Sequence, residues 1–364
     1  MRQFEGKSIL VTGSCGSVGS ELVSQLITDD IYNPKELICI DNNESALFFQ
    51  DQQYLDKQNI HFYVVDIRDR DALTNIMRGV DIVFHCAALK HVILCERSPD
   101  QCMQTNIHGV QNVIEAANVN GVEVVIFTSS DKAVNPTNVM GTSKLMGERL
   151  MTAANSSKDK NGPIFASTRF GNVLGSNGSV IPIFHSQIAK GGPVTLTHRE
   201  MTRFVMSIKE SVRLVIDSAT LAKGGEVFIT KMPVVRIEDL AKAMIKNLAP
   251  KYDLNSKHIE IVEIGTKPGE KLYEELMSLE EVRRAVELPH YFSVTPAFRG
   301  IYHDINYSYT ELVSDVVDNP YVSAELAPLK LDQVIQLLEN NNLLDLESQT
   351  IGSRYWPGDR EEKK

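Results

Sequence analysis

Seven residues near the start of the chain, Gly13-Ser14-Cys15-Gly16-Ser17-Val18-Gly19, constrain its fold more than any other feature. They follow the apolar run Ser8-Ile9-Leu10-Val11 and open a helical pattern from Ser17 to Thr28. Glycines spaced Gly-x-x-Gly-x-x-Gly at a strand-to-helix turn permit a tight bend and bring backbone amides close to a pyrophosphate at the helix N-terminus. The first half of the chain then repeats this strand-then-helix unit. Short apolar runs at Glu36 to Ile40, Phe62 to Val65, Asp81 to Phe84, Val122 to Phe127 and Ile164 to Ser167 read as strands. Between them lie helical patterns at Glu44 to Leu55, Asp69 to Met77, Pro99 to Asn118 and Asn138 to Ala154. Six parallel strands joined by helices predict an α/β fold, a doubly wound parallel Rossmann sheet.

The strand ends carry a consistent set of cofactor signals. The second strand ends in Asp41, 22 residues after Gly19, where a carboxylate accepts from an adenosine ribose hydroxyl. Asn42, Asn43 and Glu44 follow, with no arginine for a 2′-phosphate, which favours NAD over NADP. Asp66 and Ile67 end the third strand and suit adenine contact. After the fourth come Ala87 and Ala88, small residues where backbone must pass near the cofactor. The expected NAD set is therefore Gly13, Ser14, Gly16, Ser17, Val18, Gly19, Asp41, Asp66, Ile67, Ala87 and Ala88, with Lys144 added below.

Composition excludes other classes. The 364 residues carry 37 Lys and Arg against 47 Asp and Glu, a net charge of −10, which argues against a nucleic-acid binder. Residues 301–364 hold five basic and 12 acidic side chains, so the remainder carries only −3. The apolar runs are strand-length, short of the ~18 residues a membrane span needs, and the N-terminus carries no apolar signal region. A cytoplasmic protein without membrane contact is expected. Five cysteines without metal-ligand spacing read as buried thiols in a reducing compartment, and no metal is expected. After Arg169 glycines crowd the chain and the strand–helix rhythm breaks, marking a second lobe. The expected division is an NAD-binding domain over 1–172, completed by part of 205–232, then a smaller mixed α/β substrate-binding lobe over 173–300. An acidic segment follows over 301–364, whose end from Gly352 reads as a mobile tail.

The chemical centre lies after the fifth strand, at Ser129-Ser130-Asp131-Lys132, followed by Met140-Gly141-Thr142-Ser143-Lys144. The short-chain dehydrogenase pattern places a tyrosine four residues before a lysine, one helical turn apart. Here the lysine is kept as Lys144 and Met140 takes the tyrosine's place. A thioether cannot accept a hydroxyl proton.

With these motifs the chain resembles the nucleotide-sugar 4,6-dehydratases of the CapD-like, polysaccharide-biosynthesis branch of extended short-chain dehydrogenases, especially UDP-N-acetylglucosamine 4,6-dehydratases. The resemblance rests on His85 to Val92, Ser130 to Gly141, Arg169 to Ser176, Met201 to Phe204 and Lys267 to Leu272, and it covers about residues 5 to 295. It implies that a tightly bound NAD takes hydride from C4 of the hexose, that the C5 proton and the C6 hydroxyl then leave, and that hydride returns to C6. The matching residues assign the acid to Asp131 and the C5 base to Lys132, with Lys144 on the nicotinamide ribose. The C4 hydroxyl proton goes to Asp131 or to a water held by Ser129 or Ser130. A lysine base needs its pKa lowered from ~10.4, and an adjacent Asp131 opposes that unless the side chains diverge. Met140 favours retention at C5, with inversion as the alternative.

For the sugar nucleotide, an activated N-acetylhexosamine, the resemblance and side-chain chemistry nominate Lys90, His91, Asn172, Arg203, Lys267 and Glu270. Arg203 suits bidentate diphosphate contact, Lys267 suits it less, and Glu270 suits ribose hydroxyls. Nothing separates UDP from GDP. Competing readings are a nucleotide-sugar 4-epimerase, which needs no C5 base, and a non-catalytic NAD-sensing module. A homodimer or higher homo-oligomer, paired through Pro99–Asn118 and Asn138–Ala154, is expected by analogy.

Overall fold

A computed structural model describes residues 3–157, 162–176, 178–265, 269–298 and 305–345. The alternating runs form β1 (Ser8–Thr12), α1 (Ser17–Thr28), β2 (Glu36–Asp41), α2 (Glu44–Gln53), β3 (Ile60–Val64), α3 (Arg70–Ile76) and β4 (Ile82–His85). They continue through α4 (Val92–Arg97), α5 (Pro99–Met103), α6 (Gly109–Asn120), β5 (Val124–Thr128), α7 (Val139–Ser157) and β6 (Ile164–Arg169). The strands are apolar throughout because helices cover both faces, and all five residues of β1 are buried.

The chain divides into two compact units. The first comprises 1–170, 209–231 and 275–321. Its sheet runs β3-β2-β1-β4-β5-β6, all parallel, and then adds a seventh parallel strand, Val227–Thr230. Two antiparallel strands, Tyr291–Val294 and Ala285–Glu287, complete that edge. The doubly wound parallel sheet holds, but the expected boundaries shift. Residues 275–298, assigned from sequence to the substrate lobe, belong to this unit, where two of their strands, Ala285–Glu287 and Tyr291–Val294, pair onto the main sheet. Beneath the sheet Leu10, Val83, Val125, Phe127 and Phe165 pack with Val110 and Val113 of α6 and Met151 of α7.

The second unit comprises 171–208, 232–274 and 322–364. Its strands Asn172–Val173, Thr202–Met206 and Val234–Arg236 form one small sheet, and Val194–Leu196 pairs with Ile261–Glu263. Helices Val180–Ala189, Ile237–Leu248 and Leu331–Asn340 close its core through Phe184, Met244, Val334 and Leu338. The acidic C-terminal segment is thus divided between the units. Its helix supplies two fully buried side chains to the second core. The tail expected from Gly352 lies outside the described residues.

Candidate active site

In the strand order 3-2-1-4 the winding reverses between β1 and β4, and ligands of open α/β sheets bind beyond the strand ends at such a point. The glycine turn lies there. Gly13 adopts φ +67°, and a Cβ on it would come within 2.7 Å of the Ala87 backbone, so the two loops touch only because Gly13 has no side chain. A Cβ on Gly19 would come within 2.1 Å of the Gly13 carbonyl oxygen. Gly16 caps α1 without any side chain closing the helix end. Asp41 ties this turn to β2, accepting from the amides of Cys15 at 3.1 Å and Asn43 at 2.9 Å. This cradle fits a dinucleotide, with Asp41 held where a ribose would meet a carboxylate.

The third-strand residues have partners within the first unit. Asp66 binds the Arg68 guanidinium, which lowers its pKa, and Ile67 is packed in the core. A Cβ on Gly109 of α6 would come within 2.6 Å of the Ile67 side chain. The Asp66 carboxylate stays 29% exposed, and the adenine contact read from sequence stands as a proposal. Of the thiols, Cys39, Cys95 and Cys102 are buried, whereas Cys15 and Cys86 are only half-buried.

The strand end after β5 turns into a single 3₁₀ turn, Asp131–Ala133, capped by Ser130, whose Oγ accepts from the Lys132 amide. Asp131 is 1% exposed. Its Oδ1 accepts from Ser130 Oγ at 2.6 Å and from Lys132 Nζ at 2.9 Å, while its Oδ2 is buried with no hydrogen-bond partner. An orphaned carboxylate oxygen costs free energy unless a ligand completes it. Asp131 and Lys132 therefore do not diverge; they form an ion pair. Gly141 lets this turn press on α7, since a Cβ there would lie 2.2 Å from the Lys132 carbonyl oxygen.

Lys144, one helical turn beyond Met140, is buried with Nζ donating to the Thr128 carbonyl at 2.9 Å and lying 4.7 Å from the centre of the Phe127 ring. Burial lowers its pKa to about 8, against the opposing pull of Cys86, Glu148, Cys102 and Cys95. Met140 is 3% exposed and packs with Cys95 and Cys102, which makes it a packing residue rather than a participant in chemistry. Ser129, considered above as a water holder, donates instead to Glu148 at 2.6 Å.

Lys90 and His91, both exposed, follow β4 in the first unit. Asn172, Arg203 and Glu270 belong to the second unit, and Lys267 lies outside the described residues. Arg203 corrects the sequence reading. It is 6% exposed, and its guanidinium donates to the carbonyls of Thr202, Leu272 and Lys271, with Glu270 at 3.9 Å and Glu274 at 3.6 Å. Its fork braces its own unit, and Glu270 is one of its partners.

Three features escaped the sequence reading. Asn106, in a π-helical turn at Gln104–His108, exchanges hydrogen bonds with both backbone groups of Leu89 and donates to Ser143, fixing the loop that carries Lys90. His85 is fully buried, with Nδ1 2.7 Å from Thr12 Oγ1, and burial together with Lys144 pushes its pKa to about 3. Arg169 anchors a buried ionic assembly with Glu148 and Glu281. No local pattern announces any of the three: Asn106 sits among other polar residues, Gln104, Thr105 and His108, and only the spatial arrangement shows that it is the buried one.

Comparison with known proteins agrees with this geometry. The model of a family described as polysaccharide biosynthesis protein matches residues 9–296. The chain belongs to that family. Among its relatives, an uncharacterized membrane protein of Methanocaldococcus jannaschii is 51% identical over 80% of this chain and 87% of its own. The inverting UDP-N-acetylglucosamine 4,6-dehydratase of Campylobacter jejuni is 36% identical over 85% and 89%. A UDP-glucose 4-epimerase of Rickettsia bellii is 38% identical over 93% and 96%. The X-ray structure of Pen from Bacillus thuringiensis matches with a TM-score of 0.86 at 38% identity, over 94% of this chain and 99% of Pen. The family member thus stands among nucleotide-sugar 4,6-dehydratases and 4-epimerases, as its motifs implied. Among its described residues no helix is long and apolar enough to cross a membrane.

Proposed function

We propose that the protein is an NAD-dependent 4,6-dehydratase of a nucleotide-activated N-acetylhexosamine, UDP-GlcNAc or GDP-GlcNAc, forming the 4-keto-6-deoxy sugar with retention at C5. The observation that carries the reading is the Asp131–Lys132 pair, in contact at 2.9 Å, with a second, buried Asp131 oxygen awaiting a partner. Bound NAD supplies the acceptor and later the donor of the hydride.

The contact resolves the difficulty of a lysine base beside a carboxylate. Resting as an ion pair, Lys132 is protonated and Asp131 is charged. Passing one proton from Nζ to Oδ1 leaves a neutral amine and a neutral carboxylic acid. Removal of the C5 proton and protonation of the departing C6 hydroxyl require those two species together. The ammonium of Lys144, fixed on the Thr128 carbonyl, is placed to hold a ribose hydroxyl and to favour by its charge the loss of the C4 hydroxyl proton. With Met140 packed away and Asp131 taking the proton that Lys132 gives up, a water held by Ser130 is the acceptor for the C4 hydroxyl proton. Helices α5 to α7, which leave Met103 and Met146 exposed, are the proposed face for pairing of two copies.

Purified protein supplied with UDP-GlcNAc and GDP-GlcNAc in deuterated water tests the reading. The expected product has lost water, carries deuterium at C5 and keeps the H1–H2 and H2–H3 couplings of the starting ring by proton NMR. A C4 epimer without loss of water would instead establish the second reading, a 4-epimerase, which the Rickettsia relative favours.

A further inference from the structure

Behind the catalytic turn lies a buried ionic assembly to which the proposed chemistry gives no task. Arg169, the last residue of β6, is 1% exposed and has all five of its N–H donors engaged. Nε and one Nη2 hydrogen meet Glu148 at 2.8 and 2.6 Å. Nη1 and the other Nη2 hydrogen meet Glu281 at 2.9 and 2.8 Å, and the last donor meets the Leu276 carbonyl at 3.1 Å. Held at both oxygens by this fork, Glu148 cannot rotate, and it accepts the Ser129 hydroxyl at 2.6 Å. The amide of Ser129 donates to Thr168 at 2.7 Å and that of Asp131 to Phe170 at 3.2 Å, so the turn is strung along residues on either side of Arg169.

Stability alone is a poor reason for such an assembly, because buried ion pairs gain little over apolar packing of the same shape. Its position gives a better one. Glu148 stands one helical turn beyond Lys144 on α7, at the i, i+4 spacing that puts two side chains on one face. The other groups facing Lys144 are Cys86 and His85 at the end of β4, Cys95 of α4 and Cys102 of α5, besides the Thr128 carbonyl and the Phe127 ring from β5. Burial pushes Cys86 and Cys95 up to about 12 and His85 down to about 3, so these three are neutral. Glu148 is the carboxylate among the groups facing Lys144.

We propose that Glu148, locked by Arg169, is a positioning residue with two linked tasks: it anchors the catalytic turn through Ser129, and it supplies the counter-charge that keeps buried Lys144 an ammonium. The proposal rests on the roles assigned to Lys144 and Asp131 under the proposed function.

Glu148→Gln in the full-length protein keeps the shape and removes the charge. The alkaline limb of the kcat against pH profile, set in the native protein by Lys144 losing its proton near 8, is expected to move down by about one pH unit, and Glu148→Asp to restore most of it. Ser129→Ala, which removes the anchor and leaves the charge, is expected to lower kcat with the limb unmoved. A uniform loss of rate in Glu148→Gln without movement of the limb, or a Ser129→Ala protein with native kcat, overturns the proposal. The pH dependence of NADH binding, followed by nicotinamide fluorescence, is a second readout that needs no sugar. If the native protein turns over no nucleotide sugar, the functional reading fails, yet a downward shift of the binding limb in Glu148→Gln still supports the charge role and an unmoved limb refutes it.

Discussion

Replacing Arg169 by methionine tests the ionic assembly as a structural element. The substitution leaves Glu148 and Glu281, at 1% and 5% side-chain exposure, facing each other across an apolar side chain. Breaking a buried pair by removing one partner costs about 3–5 kcal/mol. The structure gives an independent figure for one limb: burial is the largest influence on Glu281 and raises it, and Arg169 leads the groups that override burial to hold it at about 2, against an ordinary 4.5. A displacement of that size corresponds to roughly 3 kcal/mol. The sign with pH follows from linkage. In the native protein the depressed carboxyl contributes stability that is complete above the unfolded value of 4.5 and is lost as pH falls toward 2. In Arg169→Met the Glu281 carboxyl loses its guanidinium and burial raises it, so the folded variant binds a proton more readily than its unfolded chain. Its stability therefore increases as pH falls from about 7 to about 5, while the native protein changes little over that range. Urea unfolding followed by circular dichroism should show a gap of about 3–5 kcal/mol near neutral pH that narrows at about pH 5. A gap below ~1 kcal/mol, or one of constant size across the range, would refute the reasoning.

Gly19→Ala should gain about 1 kcal/mol of helix propensity and still weaken NAD binding tenfold or more, because its Cβ would meet the Gly13 carbonyl at 2.1 Å and force the turn open; isothermal titration with NAD checks this. Lys132→Ala should remove the base and slow turnover by about 10²–10⁴, with C5 deuterium exchange lost from the product; exchange at the native rate would exclude Lys132 from that step. Met140→Tyr should restore no alternative base. A larger ring forced among Cys95 and Cys102 should destabilise the protein by roughly 1–3 kcal/mol, and a stable variant with raised kcat would show that position 140 reaches the substrate after all.

The parts of this molecule that local rules govern were readable from its sequence. Helix α1 runs from Ser17 to Thr28 as its periodicity said, and the six parallel strands lie where apolar runs met turn residues. The seventh, Val227–Thr230, lies in the stretch 205–232 from which the sequence reading completed the cofactor domain, and helix Ile208–Leu221 leads into it; the strand itself was less legible because the segment 171–208 before that helix folds into the other unit and breaks the rhythm. Arg203 shows the limit for single residues. An arginine in a loop-rich lobe reads equally as a diphosphate clamp or as a brace, and the carbonyls of Lys271 and Leu272, distant in sequence, decide for the brace together with that of the neighbouring Thr202. Arg169 and Glu281 are 112 residues apart, and nothing in either local pattern announces the other.

The relatives divide between dehydratases and 4-epimerases at nearly equal identity, and the cofactor cradle cannot separate the two reactions, since both begin by oxidising C4. What separates them is the fate of the ketone. An epimerase must return hydride to C4 from the opposite face and therefore needs the C5 proton left in place. A dehydratase needs a group that removes that proton while an acid meets the C6 hydroxyl. A single ion pair that can exchange one proton internally serves the second reaction and endangers the first, because a neutral amine beside a 4-ketone exposes the sugar to elimination. On the proposed reading, Asp131 and Lys132, touching at 2.9 Å with the remaining carboxylate oxygen buried and unpaired, are the residues on which the choice between the reactions turns, and loss of water is the outcome that pair would serve.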